Sequence, residues 1–140
     1  MLDNIKNKNV VAFSAAAIMA NGHYHPKEKE MVSSIAESLD INAKELLDAI
    51  DKEIAKQEPM SAEEEYAYLQ DLSKDLSPED TIDIYQICIV LTTADDKLCK
   101  MEAMRLHLLA EILQVHAVYS SMLIAYAVKK NPDLVVEFSL

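Results

Sequence analysis

Two short stretches of this chain hold its most promising set of hard oxygen ligands, and each is a version of the other. "ANGHYHPKEKEM" from Ala20 and "ADDKLCKMEAMR" from Ala94 align without a gap at an offset of 74 residues. Asn21 meets Asp95, Gly22 meets Asp96, Tyr24 meets Leu98 and Glu28 meets Glu102. Each copy places a glutamate seven residues after a polar turn residue. A cation of the calcium type wants several hard oxygens at about 2.3–2.6 Å, with anionic oxygens supplying most of the affinity. The second copy offers three carboxylates around one turn, Asp95, Asp96 and Glu102, whose mutual repulsion a cation would relieve. The first offers Glu28 with the neutral amide of Asn21. The expectation is weak divalent-cation binding at the second copy, about 10⁻⁴–10⁻³ M, and a first copy held by hydrogen bonds alone. A first-turn glutamate also works as a helix cap without any ligand, and the spacing leaves both uses open. An EF-hand does not fit, because "DDKLCKME" puts Leu98, Cys99 and Met101 where oxygen ligands would have to alternate.

Other chemistry has thinner support. His23 and His25 flank Tyr24, but no third ligand for a transition metal lies nearby. His107 and His116 read as polar edges of packing positions. Cys88 sits inside the apolar "IYQICIVL" as a small hydrophobe, and Cys99 lies in the second turn; together they make neither a disulfide framework nor a zinc pattern. A single glycine could hardly build a phosphate loop or a nucleophile elbow. The competing enzymatic reading is a small hydrolase or redox enzyme using Cys99 or clustered carboxylates, and it requires an activated thiolate or a carboxylate pair across a cleft.

These residues depend on helices to position them. His25-Pro26-Lys27-Glu28 puts proline at a first helical position with an acid in the first turn. Asn42 with Glu45, and Ser61 with Glu64, have capping-box spacing. Ser77-Pro78-Glu79-Asp80 combines a serine cap, a first-turn proline and first-turn acids. Apolar stripes at helical spacing follow: Met31, Val32, Ile35 and Leu39; then Leu46, Leu47, Ile50 and Ile54; then Tyr66, Leu69, Leu72 and Leu76. The acidic "EEEYAYLQDL" reads as a solvated helix with its tyrosines turned inward. Helices are predicted at 4–20, 26–39, 43–56, 62–74, 78–94, 100–114 and 116–130, with no strand between them. Ile82–Leu91 and Val118–Val128 are apolar nearly all round and should be the most buried. The tail "NPDLVVEFSL" is either a short helix or an extended segment packed on the body.

The repeat sets the architecture. Beyond the turn, Val32 meets Leu106, Ile35 meets Leu109, Ala36 meets Ala110, Leu39 meets Leu113 and Ile41 meets Val115. Gly22 stands where leaving a helix often needs positive φ, and Asp96 can adopt that conformation at modest cost. The expected fold is all-α, about seven helices, with two pseudo-symmetric helix-turn-helix repeats packed as a bundle. The repeats span about 10–41 and 84–115, with connecting helices over 42–76, in one domain of residues 1–140.

Bulk composition bounds the function. The chain has 24 acidic and 13 basic residues and a formal net charge of −11, which repels phosphate backbones and excludes DNA, RNA and anionic lipid as ready partners. Cations or a basic protein partner suit it better. No apolar run approaches the ~20 residues that span a bilayer. "MLDNIKNKNVVAF" mimics a signal peptide superficially, but its apolar run continues into the first repeat, so the segment is read as mature and the protein as cytoplasmic.

The doubled pattern, alanine, acid or amide, glycine or acid, an apolar plug, then a glutamate opening a helix, resembles the TerB-like tellurite-resistance domain. The resemblance covers about residues 10–128. A similar domain precedes the J-domain of a membrane-anchored DnaJ-type co-chaperone, but these residues show no J-domain signature or anchor pattern, so the co-chaperone role is not expected. The resemblance implies an all-helical fold and a divalent metal, calcium, associated with Asn21 and Glu28 in one copy and Asp95 and Glu102 in the other. This sequence departs from the pattern twice, with asparagine at position 21 and Asp96 in place of glycine. The resemblance further implies a non-enzymatic module linked to stress or tellurite tolerance and working through a protein partner. Tellurite is itself an anion, so an acidic protein would act on it only indirectly.

Overall fold

The computed structural model describes residues 2–22 and 24–137. It contains seven α-helices: α1 (Ile5–Ile18), α2 (Pro26–Ser38), α3 (Ala43–Gln57), α4 (Ala62–Ser73), α5 (Pro78–Thr92), α6 (Lys100–Ile112) and α7 (Ala117–Lys130). A 3-10 turn, Met19–Asn21, extends α1. The expected all-α bundle of seven helices is therefore the observed architecture.

Most of the anticipated start signals work as caps. Ser61 Oγ accepts from Glu64 N at 3.1 Å while Glu64 Oε1 accepts from Ser61 N at 3.1 Å, a complete capping box. Ser77 Oγ accepts from Asp80 N, and Asn42 Oδ1 from Glu45 N.

α1 is buried continuously from Asn9 to Ile18. It runs between two hydrophobic clusters and serves both. Val10, Phe13, Ala16 and Ala17 pack with Tyr85, Leu106 and Leu109. Val11, Ala15 and Ile18 pack with Val32, Leu46, Ile50 and Leu91. Its alanines allow α3 and α5 to approach closely, and these are the helices it packs against most extensively. The polar Asn9 inside this helix donates to the carbonyls of Ile5 and Leu72, both at 2.9 Å.

The expectation for the most buried helices holds only in part. α5 buries Ile84, Tyr85, Cys88, Ile89 and Leu91. In α7 only Ser120 is buried, and Val118, Met122 and Tyr126 are 63%, 64% and 61% exposed. Apolarity all round does not by itself bring burial. α7 lies at the edge of the bundle, packed against α5 and α6, and α1 takes the central place.

A strand pair was not expected. β1 (Lys97–Cys99) and β2 (Val135–Glu137) are parallel, with Lys97 opposite Val135, Leu98 opposite Val136 and Cys99 opposite Glu137. Three residues are too few for alternation to register in a sequence. The tail through Glu137 thus takes the extended alternative, and residues 138–140 lie outside the described residues.

The internal repeat is also longer than its sequence signal. Shifted by 74 positions, α1, α2 and α3 fall on α5, α6 and α7 with ends agreeing to within one residue. Leu46 and Ser120 are matched and both buried. α3 therefore belongs to the first repeat, and α4 alone connects two three-helix halves. The substitution of serine for leucine and the exposure of α7 erase the apolar match that would have revealed this.

Candidate functional site: two facing turns

Both repeat turns are built in the same way. Gly22 has φ 77° and its N–H donates to the Met19 carbonyl at 3.2 Å. Asp96 has φ 61° and donates to the matched Thr93 carbonyl at 3.1 Å. The left-handed conformation expected at both positions is present, without a Cβ in one and with one in the other. The following helices end alike too. Asp40 and Gln114, again 74 apart, have φ 56° and 60°. Ile41 N donates to Ala36 O at 2.9 Å and Val115 N to Ala110 O at 2.8 Å, the long closing bond of a helix end.

The two glutamates have one local role. Glu28 Oε1 accepts from His25 N at 2.8 Å, and Glu102 Oε1 accepts from Cys99 N at 3.0 Å. Each reaches back from the first turn of α2 or α6 to the residue that opens the helix. His25 completes the first cap, its Nδ1 accepting from Lys27 N at 3.1 Å. His116, at the matched start of α7, accepts from Val118 N through Nδ1 at 3.2 Å. Neither histidine is expected as a cap, because serine, threonine, aspartate and asparagine are the usual residues there.

Capping does not account for the burial. Glu28 and Glu102 are each 5% exposed. Burial pushes the Glu28 carboxyl up to about 7 against the opposing bond from His25, and the charges of Asp95 and Glu102 push it further in the same direction. Glu102 is raised as well, by burial first, with Asp95 adding to it. Two carboxylates of the second turn thus act on the glutamate of the first: the copies face each other across the molecule. Lys27 of the first copy lies 3.6 Å from Asp96 Oδ2 of the second, a direct link between the turns.

The expected ligands do not share one disposition. Asp95 Oδ1 accepts from Lys97 N at 3.2 Å, closing its own turn. Asp96 is turned toward Asn131, whose Nδ2 donates to its Oδ1 at 3.1 Å, and toward Lys27. Asp96 N and O both take part in backbone bonds, the carbonyl receiving Val135 N at 2.9 Å. The side chain of Asn21 and the whole of His23 lie outside the described residues. The charges of Asp95 and Glu102 act on Glu28, and that of Asp95 on Glu102, so these three supply the hard oxygens of the site. Their chemistry fits a divalent ion of the calcium class, although among the described residues no three His, Cys, Asp or Glu side chains are gathered as a ready-made metal cage. Lys27 and Asn131 were not anticipated: no local pattern ties a lysine or an asparagine to a turn that distant in sequence.

The thiol of Cys99 is raised, by burial first, with the neighbouring Glu102 adding to it despite backbone bonds acting the other way. That shift runs opposite to the one that activates a nucleophilic cysteine. Cys88 is buried and its thiol pushed up to about 12 by that burial.

Across the described residues no helix is long and apolar enough to cross a membrane. A protein-family model described as "Tellurite resistance protein TerB" matches residues 7–122. No curated protein and no solved structure matches the chain.

Proposed function

The chain belongs to the tellurite resistance protein TerB family, and from that premise we propose that it is a non-enzymatic cytoplasmic module acting through a protein partner, with its two facing turns as a weak divalent-cation site. The observation that carries this reading is the pair of matched, buried capping glutamates whose charges, with Asp95, oppose one another. Helix capping alone would be served as well by exposed side chains. A cation of the calcium class relieves the repulsion, with Asp95 and Glu102 as its main ligands and Glu28 as the third charge. Asp96 contributes its negative field while it remains bonded to Asn131 and Lys27. Ligand oxygens already engaged in caps and turns must partly rearrange, which keeps the affinity in the range of about 10⁻⁴–10⁻³ M. The net charge of −11 favours a basic face on the partner and disfavours direct capture of the tellurite anion.

Calcium titration followed by ¹H–¹⁵N NMR tests the site. Saturable shifts centred on Asp95 to Glu102, accompanied by Glu28, are expected at millimolar calcium. Shifts confined to the first turn would reverse the assignment, and their absence would leave the glutamates as caps only. Calorimetry with tellurite should show no binding, and tight binding would overturn the indirect role.

A further inference from the structure

A cavity of about 520 Å³ lies beside the first turn, between the end of α1, the Met19–Asn21 turn, α3 and α4. Its size is that of a small-molecule site. Ile18, Met19, Ile54 and Met60 supply apolar wall, and Gln57 and Tyr24 also line it. Asp51, Glu58 and Glu65 are its ionisable carboxylates, and no lysine or arginine lines it. Glu65 is neutralised by Arg105, whose guanidinium donates to both its oxygens at 2.6 and 2.7 Å. Asp51 and Glu58 are exposed and take part in no ion pair among the described residues.

Two buried polar atoms in this lining lack partners. Gln57 is 1% exposed, and its Nε2 donates to the Ala12 carbonyl at 3.0 Å and to Glu53 Oε2 at 2.7 Å. Those two acceptors fix the orientation of the amide, so the unpartnered Oε1 is a true acceptor. The Tyr24 hydroxyl is the second such atom. Buried polar groups are ordinarily paired, and each exception calls for an explanation.

The second half of the molecule supplies a contrast. Met19, Gly22 and Gln57 of the cavity correspond at the 74-residue offset to Thr93, Asp96 and Asn131. There a cavity of about 370 Å³ is also present, and at its wall the Asp96 side chain takes a hydrogen bond from Asn131. In the first half Gly22 brings no side chain, and a Cβ added to it would meet nothing within 4 Å. Both ends of the Asn131 amide are paired, its Nδ2 with Asp96 Oδ1 and its Oδ1 with Asp133 N, whereas in the first half Gln57 Oε1 has no partner.

We propose that this cavity binds a short aliphatic diamine or polyamine. Asp51 and Glu58 at the rim would pair with one ammonium, the methylenes would lie along Ile18 and Ile54, and the far amine would donate to Gln57 Oε1 and the Tyr24 oxygen. Gln57 Oε1 can only accept and the two rim groups are anions, which selects a ligand rich in N–H donors; the Tyr24 hydroxyl, able to donate or accept, accommodates one. An anion of the same length meets repulsion at the rim, and a diol lacks the charge that the rim rewards. The site is distinct from the divalent-cation site at Asp95 and Glu102 and does not depend on it.

Titration with 1,4-diaminobutane, read by ¹H–¹⁵N NMR, tests the proposal, with 1,4-butanediol and succinate as controls of matched length. Saturable shifts at Ile18, Gly22, Tyr24, Ile54 and Gln57 are expected with the diamine below about 10 mM, and none with the controls. The exposed pair Asp51→Asn and Glu58→Gln should weaken binding about tenfold. Tyr24→Phe removes only an unpaired hydroxyl, so the fold survives, and binding should weaken about threefold. Equal shifts with butanediol or succinate, no saturable shifts at the cavity, or diamine shifts unchanged in the Asp51→Asn/Glu58→Gln protein would each overturn the assignment.

Discussion

Glu28 is held by one interaction and opposed by several. The amide of His25 favours its carboxylate form, while burial and the charges of Asp95 and Glu102 favour the protonated form and prevail, placing the carboxyl near 7. An unfolded glutamate titrates near 4.5, so the folded state binds this proton more tightly than the unfolded state does. The resulting stabilisation is complete below about 4.5 and is lost as pH rises through about 7. Glu102 is shifted in the same direction and adds to the trend. Glu28→Gln keeps an oxygen that can accept from His25 N but has no proton to lose. Urea denaturation should therefore show the parent protein losing about 2 kcal/mol between pH 4.5 and 7.5 relative to Glu28→Gln. Parallel stability curves for the two proteins would show that Glu28 titrates normally. Calcium should restore part of the loss at pH 7.5, because a bound cation favours the charged form.

At the scale of elements, the turn and the cap are where sequence and structure agree best. Gly22 and Asp96 both occupy the left-handed region that their alignment predicted, and the Ser61 and Glu64 pair closes as its spacing implied. These features are local: a few consecutive residues settle their own hydrogen bonds, so their signals survive in the sequence. Gly22→Ala should cost about 1 kcal/mol by forcing a Cβ into positive φ, even though the added atom has open space. Gly22→Asn should cost less than half as much, since a short polar side chain tolerates that conformation. Thermal unfolding of the two variants measures the difference, and equal losses would mean that crowding, not φ, governs the turn. Ser61→Ala should lose about 1 kcal/mol. Less of the non-local structure was legible. The pairing of Asn131 with Asp96, the approach of Lys27 to the second turn and the β1–β2 pair join residues that no sequence period connects. α7 misled for a related reason: its composition suits a core position, but its place at the end of the second half leaves one face without a neighbouring helix.

Viewed as a whole, the molecule has two similar halves and one helix that belongs to neither, and a largely buried ion pair crosses the join beside the apolar clusters. Arg105 on α6 donates through both terminal nitrogens to Glu65 on α4 and through Nε to the Ala16 carbonyl on α1, at 2.9 Å. One side chain thereby ties the connecting helix and the central helix to the second half. The acidic run "EEEYAYLQDL" suggested a solvated face, and Glu65 is the member that turns inward to 9% exposure. Arg105→Ala would strand the Glu65 carboxylate away from both water and a counter-charge, at a cost of about 3–5 kcal/mol. Arg105→Lys should recover little, because one ammonium cannot span two carboxylate oxygens and a carbonyl held in a planar fork. The pair's own net contribution is a separate quantity, since desolvating both ions offsets much of their attraction. Arg105→Met combined with Glu65→Leu should therefore regain most of what Arg105→Ala loses. Chemical denaturation of the single and double variants distinguishes the cases. A double variant as unstable as Arg105→Ala would mean that the ion pair is itself a major source of cohesion between the halves. Recovery would mean that the pair chiefly fixes how α4 seats against them, while the apolar clusters along α1 supply the stability.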